Sequence, residues 1–347
     1  MDALILRNNP TFGAMKAVIP VAGAGIRLRP HTYTQPKPLM PVAGMPIIRL
    51  IVDNLREAGI THFVFVIGYL GEKIRDYILA TYPDLDTEFV YQEKREGSAH
   101  AIATAGELIE EEDEICIAFG DTVFMADLRE LLACPYSCVG VKTVNDPREF
   151  GVAEIDENGK VLRVVEKPRI PRSNLAMVGL YKIKEVSKLL AAIEHLLREE
   201  RRTIDEYQLT DALQLMLEDG IHIQSVPVDN WFDCGRKEVL LETNAMLLDR
   251  PGYASDPFDF PDFENTIFIP PVSLGKNCRI ANSIIGPHVT IGDDVSINYS
   301  IVKDSIISHF ASLDNVVLRQ SIIGSDAGVR GMKLSLNIGD NTEIDFE

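Results

Sequence analysis

The chain has 347 residues, 46% of them apolar, with 34 basic and 52 acidic side chains and a net charge of −18. That length allows two domains. The negative charge excludes binding driven by the phosphates of nucleic acid, and the lack of an apolar run of 18 residues excludes a helical membrane span.

Residues 1–14 lack the charged start and long apolar core of a signal peptide and read as a flexible N-terminal extension before Met15. From 15 to 250, strand-like runs alternate with helical periodicity. Strands are expected at 16–21, 62–68, 87–92 and 114–119, with helices at 46–58, 71–80 and 98–110 among them. Further strands follow at 137–144, 151–155, 161–166, 176–183 and 221–228. Helices are expected at 184–200, 208–219 and 236–249. This rhythm predicts an α/β fold, a mainly parallel Rossmann-like sheet with helices on both faces. Residues 251–264 carry three prolines and no period, and read as a linker that packs its aromatics on a neighbour. From 265 to 347 the period becomes six. Ile285, Ile291 and Ile297 form one series, and Val289, Val295 and Ile301 another. Such hexads predict a parallel β-helix of four to five coils of about 18 residues, one apolar residue per hexad pointing inward. The five cysteines show no metal spacing, which fits a reduced, cytoplasmic protein.

The stretch Ile19–Pro46 carries the most chemistry. An apolar strand runs into Ala22-Gly23-Ala24-Gly25, a turn of small residues that lets backbone N–H groups approach a phosphate. Arg27 and Lys37 supply two cations. The string is not a Walker loop, and Leu28 stands where the dinucleotide fingerprint needs its third glycine. Pro36 and Pro38 are expected to hold Lys37 in an extended segment. Asp121 ends the apolar run 115–120, at the strand edge where open parallel sheets bind ligands. Asp233 stands just before the helix at 236. Either aspartate alone also reads as a cap or turn residue.

Ala22–Leu28, Pro30, Thr32 and Pro36–Pro38 resemble the signature of sugar-1-phosphate nucleotidyltransferases, approximately A-G-x-G-T-R-L-x-P-x-T-x-x-x-P-K-P. Ile26 replaces the usual threonine. The resemblance implies that Ala22, Gly23 and Gly25 cradle the triphosphate and that Arg27, Lys37 and Lys167 are catalytic. It implies that Asp121 and Asp233 hold Mg²⁺, with Asp121 also on the nucleotide. Gln92, with Gly97 five residues on, is similar to the family's base-reading glutamine. Its amide offers a donor and an acceptor side by side, matching N3–H and O4 of uracil or thymine. Ser98-Ala99-His100 departs from the usual sequel, and His100 reads as a residue of the first helical turn. Glu166-Lys167-Pro168, Gly151 and Val178 resemble the family's sugar-binding segments, with Lys167 on the sugar phosphate.

The implied reaction is Mg²⁺-dependent transfer of a nucleoside monophosphate from dTTP or UTP to a sugar 1-phosphate, glucose 1-phosphate in the first instance. The β-helix resembles that of long-form thymidylyltransferases, while Glu166-Lys167-Pro168 and Asp233-Cys234-Gly235 also resemble uridylyltransferases. Guanylyl or cytidylyl transfer and a non-catalytic regulatory subunit are the alternatives, the latter opposed by the retained Arg27, Lys37, Asp121, Lys167 and Asp233. The predicted β-helix has only His288 and His309 as histidines, so acetyl transfer is set aside in favour of effector binding or contact between copies in a homo-oligomer, dimer or tetramer.

Overall fold

A computed structural model describes residues 15–109, 114–124 and 127–331. The expected N-terminal extension and residues 332–347 of the expected β-helix lie outside them. The chain divides into two compact units between Thr243 and Asn244.

The first unit is built on a nine-stranded sheet. Its parallel half runs Ile115–Ala118, Lys16–Pro20, His62–Ile67 and Asp86–Tyr91. Side chains alternate across each strand, and both sets are buried. Val18, Val64 and Val66 enter one core with Ile102, Leu189 and Leu213. Ile19, Phe63 and Phe65 are equally buried on the other side. A parallel sheet needs both faces covered, and these near-continuous apolar strands meet that need.

The long strand Leu175–Ile183 adds the antiparallel half, pairing with Ile115–Ala118, Gly151–Ile155 and Ser137–Thr143. Its register shifts between Met177 and Tyr181. Such a bulge re-aims the backbone, and Val178 and Gly179 there line a cleft. The sheet is therefore mixed, with a parallel half and an antiparallel half. The helix expected over 98–110 is broken into Ser98–Thr104 and Gly106–Ile109. The expected strand and helix at 221–228 and 208–219 are Ile223–Pro227 and Leu209–Glu218.

One expectation for the first unit fails locally. Lys37 is not extended: Lys37–Leu39 is a turn of 3₁₀ helix, with Met40 N–H donating to the Lys37 carbonyl at 3.0 Å. Only Pro36 is extended, and the proline at the second position of a short helix costs no hydrogen bond. Asp233 does not cap a helix. It lies in the three-residue strand Trp231–Asp233, antiparallel to Thr122–Phe124.

In the second unit, three parallel sheets of four strands each stack coil on coil, an arrangement consistent with a left-handed β-helix. Ile285, Ile291, Ile297, Val289 and Val295 are all inside. Ile301 is not. It is 44% exposed, and Val302 fills the core in its place. The reason is coil length: a backbone N–H and the serine Oγ it donates to on the preceding coil are 17 or 16 residues apart, not 18. The corners stack in columns of residues with positive φ: Asn265, Asn282, Tyr299 and Asn315; Asn277, Asp294, Phe310 and Asp326; His288, Asp304 and Gln320. Asn and Asp dominate because their short polar side chains tolerate this left-handed conformation. The segment expected as a linker forms one 3₁₀ turn, Pro257–Asp259, and Phe260 and Phe263 pack on Phe268.

Candidate active site

The loops after the parallel strands open into a cleft of about 460 Å³. Every candidate residue named above lines it: Ala22, Gly23, Gly25, Arg27, Lys37, Gln92, Gly97, Asp121, Gly151, Glu166, Lys167, Val178 and Asp233. The fold explains the gathering. Ala22 and Gly23 follow the Lys16–Pro20 strand, Gln92 follows Asp86–Tyr91, and Asp121 follows Ile115–Ala118. All sit at the carboxyl edge of the sheet, where ligands bind in open α/β folds.

At one end, Lys37 is 9% exposed. Its Nζ donates to Asp121 Oδ2 at 2.7 Å and lies 3.7 Å from Asp233 Oδ1. The short ribbon is what brings the two carboxylates together, because it sets Asp233 opposite Thr122. Burial works against charge on all three groups. For Lys37 the two carboxylates outweigh it and hold the pKa above the usual lysine value. Lys37 in turn outweighs burial at Asp121, which stays below the usual carboxylate range. Burial and the Asp121 charge push Asp233 above that range.

Two carboxylates converging on one cation fit a metal role. Among the described residues no cluster of three or more His, Cys, Asp or Glu forms a metal cage. A magnesium ion held by one or two carboxylates and completed by phosphate and water needs none. Arg27 reaches the same end, its guanidinium 3.8 Å from Glu149 Oε2, and Arg236 lies 3.2 Å from the same oxygen. Glu149 escaped sequence reasoning because nothing in its neighbours marks it. Ile26, 64% exposed, offers no hydroxyl where the signature has one.

Gln92, the expected base reader, is 5% exposed. Its Nε2 lies 3.1 Å from the Gly97 carbonyl and 2.9 Å from His100 Nδ1. The amide donor is therefore engaged inside the protein, and the expectation of a donor and an acceptor both offered to the base does not hold. Gly97 has φ 110°, and a Cβ there would meet Tyr207 O at 2.5 Å. Only glycine lets these backbones touch.

Among the residues expected to bind sugar, Glu166 Oε2 accepts from Thr210 Oγ1 at 2.7 Å, and Lys167 Nζ is 4.0 Å from Glu166 Oε1. Burial raises the Glu166 pKa above the usual value. A Cβ on Gly151 would stand 2.6 Å from Met177 Cε and 3.1 Å from Glu166 Oε2. Trp231 packs edge-on against Phe150, with ring centroids 4.9 Å apart. Its indole N–H has no partner, although the ring lines the cleft.

The sequence profile of the nucleotidyl transferase family matches residues 16–250. The chain is 35% identical over 243 residues to the low-salt glycan biosynthesis nucleotidyltransferase Agl11 of Haloferax volcanii, spanning 68% of this chain and 66% of that protein. It is 30% identical over 337 residues to a glucose-1-phosphate thymidylyltransferase of Streptomyces griseus, spanning 89% of this chain and 92% of that one. Among solved structures, it resembles a Bacillus anthracis protein in complex with sucrose, provisionally named a glucose-1-phosphate thymidylyltransferase. That match has a TM-score of 0.61 at 27% identity and covers 68% of this chain and 96% of that one. A UDP-glucose pyrophosphorylase complexed with UDP-glucose shares the fold, with TM-score 0.59 at 23% identity over 67% of this chain and 97% of its own. The extent of these matches, together with a cleft lined by Ala22, Gly23, Gly25, Arg27 and Lys37 of the signature, makes the chain a member of the nucleotidyl transferase family.

Proposed function

We propose that this protein transfers the nucleoside monophosphate of dTTP or UTP to a sugar 1-phosphate, glucose 1-phosphate in the first instance, and releases pyrophosphate. The observation that carries the reading is the polarity of the cleft. One cleft is lined both by Lys37, Asp121, Asp233 and Arg27 and by Glu166, Lys167 and Gly151, with Lys37 on the two aspartates and Lys167 beside Glu166. The Streptomyces and Bacillus relatives support the same pair of substrates by name.

The chemistry asks for positioning and charge stabilisation more than for acid or base work. An oxygen of the sugar phosphate attacks the α-phosphorus in line. A new P–O bond forms there, and the bond to the pyrophosphate oxygen breaks. Lys167 orients the nucleophilic phosphate, with Glu166 beside it on a sugar hydroxyl. Backbone N–H groups of the 22–25 loop and the Arg27 guanidinium hold the triphosphate. Lys37 aligns the phosphates from between the carboxylates. Asp121 and Asp233 would hold Mg²⁺, which supplies charge neutralisation on the phosphate oxygens when bound. Residues 15–250 form the catalytic part in this reading. The β-helix is assigned to contact between copies in a homo-oligomer or to effector binding, and the protein to the cytoplasm. Among the described residues no helix is long and apolar enough to cross a membrane.

Pyrophosphate release tests the reading. Five nucleoside triphosphates are assayed against glucose-, N-acetylglucosamine- and mannose-1-phosphate, with and without Mg²⁺. Release is expected with dTTP or UTP and glucose 1-phosphate. No release with any pair refutes it.

A further inference from the structure

We propose that His100 is a positioning residue for base recognition: it locks the Gln92 amide with its carbonyl oxygen toward the cleft, so that the site reads a ring N–H donor such as the imide of uracil or thymine. The inference rests on the nucleotidyl-transfer reading above and deepens it.

The hydrogen-bond roles follow one from another. Gln92 Nε2 lies 3.1 Å from the Gly97 carbonyl oxygen. A backbone carbonyl can only accept, so the amide atom facing it is the nitrogen. The same nitrogen lies 2.9 Å from His100 Nδ1. Its second hydrogen points there, so Nδ1 must accept, and the imidazole carries its proton on Nε2. That assignment agrees with the far side of the ring, where Nε2 faces Glu96 Oε2 at 3.7 Å. Glu96 is itself fixed by Arg202 at 2.7 Å. The Gln92 backbone is pinned as well, its N–H donating to the Ile67 carbonyl at 2.9 Å.

Both amide hydrogens are thus consumed inside the protein. What Gln92 adds to the cleft is Oε1, an acceptor with two lone pairs. Turning the amide over would set that oxygen against the Gly97 carbonyl, which can only accept, and would force the imidazole to move its proton from Nε2 to Nδ1. The site therefore has fixed polarity. It favours a base with a ring N–H at that point and opposes cytosine, whose N3 is an acceptor.

The test compares wild type with His100→Leu, which cannot accept, and His100→Asn, whose side-chain oxygen can take the place of Nδ1. Ratios of kcat/KM for UTP and dTTP against CTP are measured with glucose 1-phosphate. One net hydrogen bond corresponds to about tenfold in an equilibrium. The preference over CTP is expected to fall by about that factor in His100→Leu, through KM more than kcat, and to recover in His100→Asn. An unchanged ratio in folded His100→Leu overturns the proposal. Nitrogen-15 NMR of histidine-labelled protein gives a second readout, with the His100 signal assigned by its loss in His100→Asn. A bare Nδ1 and a protonated Nε2 are expected. A proton on Nδ1 overturns the lock, even where His100→Leu fails to fold. Should wild type turn over no pair, the transfer reading alone fails, and the same ratio is read from UMP and CMP binding by calorimetry.

Discussion

Replacing Lys37 by Met removes the one cation between Asp121 and Asp233 and keeps most of the side-chain volume. At 2.7 and 3.7 Å, each contact carries about 5 kcal/mol of gross attraction at an effective dielectric of about 20. Two effects reduce the net loss. Burying the ammonium already cost desolvation energy, which the variant recovers. The carboxylates are also 41% and 32% exposed, so solvent screens them. A net loss of about 2 kcal/mol remains, mostly from two facing carboxylates left without a counter-ion. For a unit of this size that lowers Tm by about 4–8 °C. Thermal unfolding of wild type, Lys37→Met, Asp121→Asn and the double variant checks it. The double variant should regain most of the loss, since it removes the repulsion as well as the attraction. Added Mg²⁺ should raise the Tm of Lys37→Met more than that of wild type, because the ion no longer competes with the ammonium. A Lys37→Met protein as stable as wild type, or a double variant worse than the sum of its parts, refutes the reasoning.

Glu166→Gln probes the proposed sugar-binding end of the cleft through pH. Burial raises the Glu166 pKa, so its contribution to stability is full below the ordinary glutamate value and is lost as pH rises through the raised native value. The Tm of Glu166→Gln relative to wild type should therefore increase between about pH 4 and pH 7; a decrease in calorimetric scans contradicts this. Gly97→Ala forces a Cβ against Tyr207 at a φ of 110° and should cost more than about 3 kcal/mol, seen as a lower urea midpoint together with weaker nucleotide binding. An unshifted midpoint would show that the loop yields freely. Phe310 holds a bulky side chain at φ 60° while 58% exposed. Phe310→Asn should stabilise the second unit by about 1 kcal/mol, and a destabilised variant in denaturant titration would mean the ring makes contacts worth more than its strain.

The elements with strong periodicity were legible in the sequence because buried strands such as His62–Ile67 are continuously apolar. The ribbon of Thr122–Phe124 and Trp231–Asp233 was not legible, since three residues carry no measurable period. Yet that pairing is what converts two isolated aspartates into one constellation. Lys37, marked by its flanking prolines, lines the cleft, but its backbone is not extended: proline restricts φ and leaves a short 3₁₀ turn open. The inward series of the β-helix read true through Ile297 and failed at Ile301, where a coil of 16 or 17 residues no longer matches three hexads. The Gln92 amide could not be oriented from sequence at all, because its partners are a backbone carbonyl and a histidine eight positions away.

The three corner columns turn length in the β-helix into a quantised variable. Each coil adds one strand spacing, about 4.8 Å, for 16 or 17 residues. The prism therefore grows by only about 0.3 Å per residue, against 1.5 Å in an α-helix. A single inserted residue cannot be absorbed along a strand without moving every later side chain to the opposite face. A whole coil can be gained or lost with the corners above and below unchanged. Changes of length in this unit are thus tolerated in steps of a full turn of the prism, and smaller ones only at the corners, where a turn and not a strand takes up the residue.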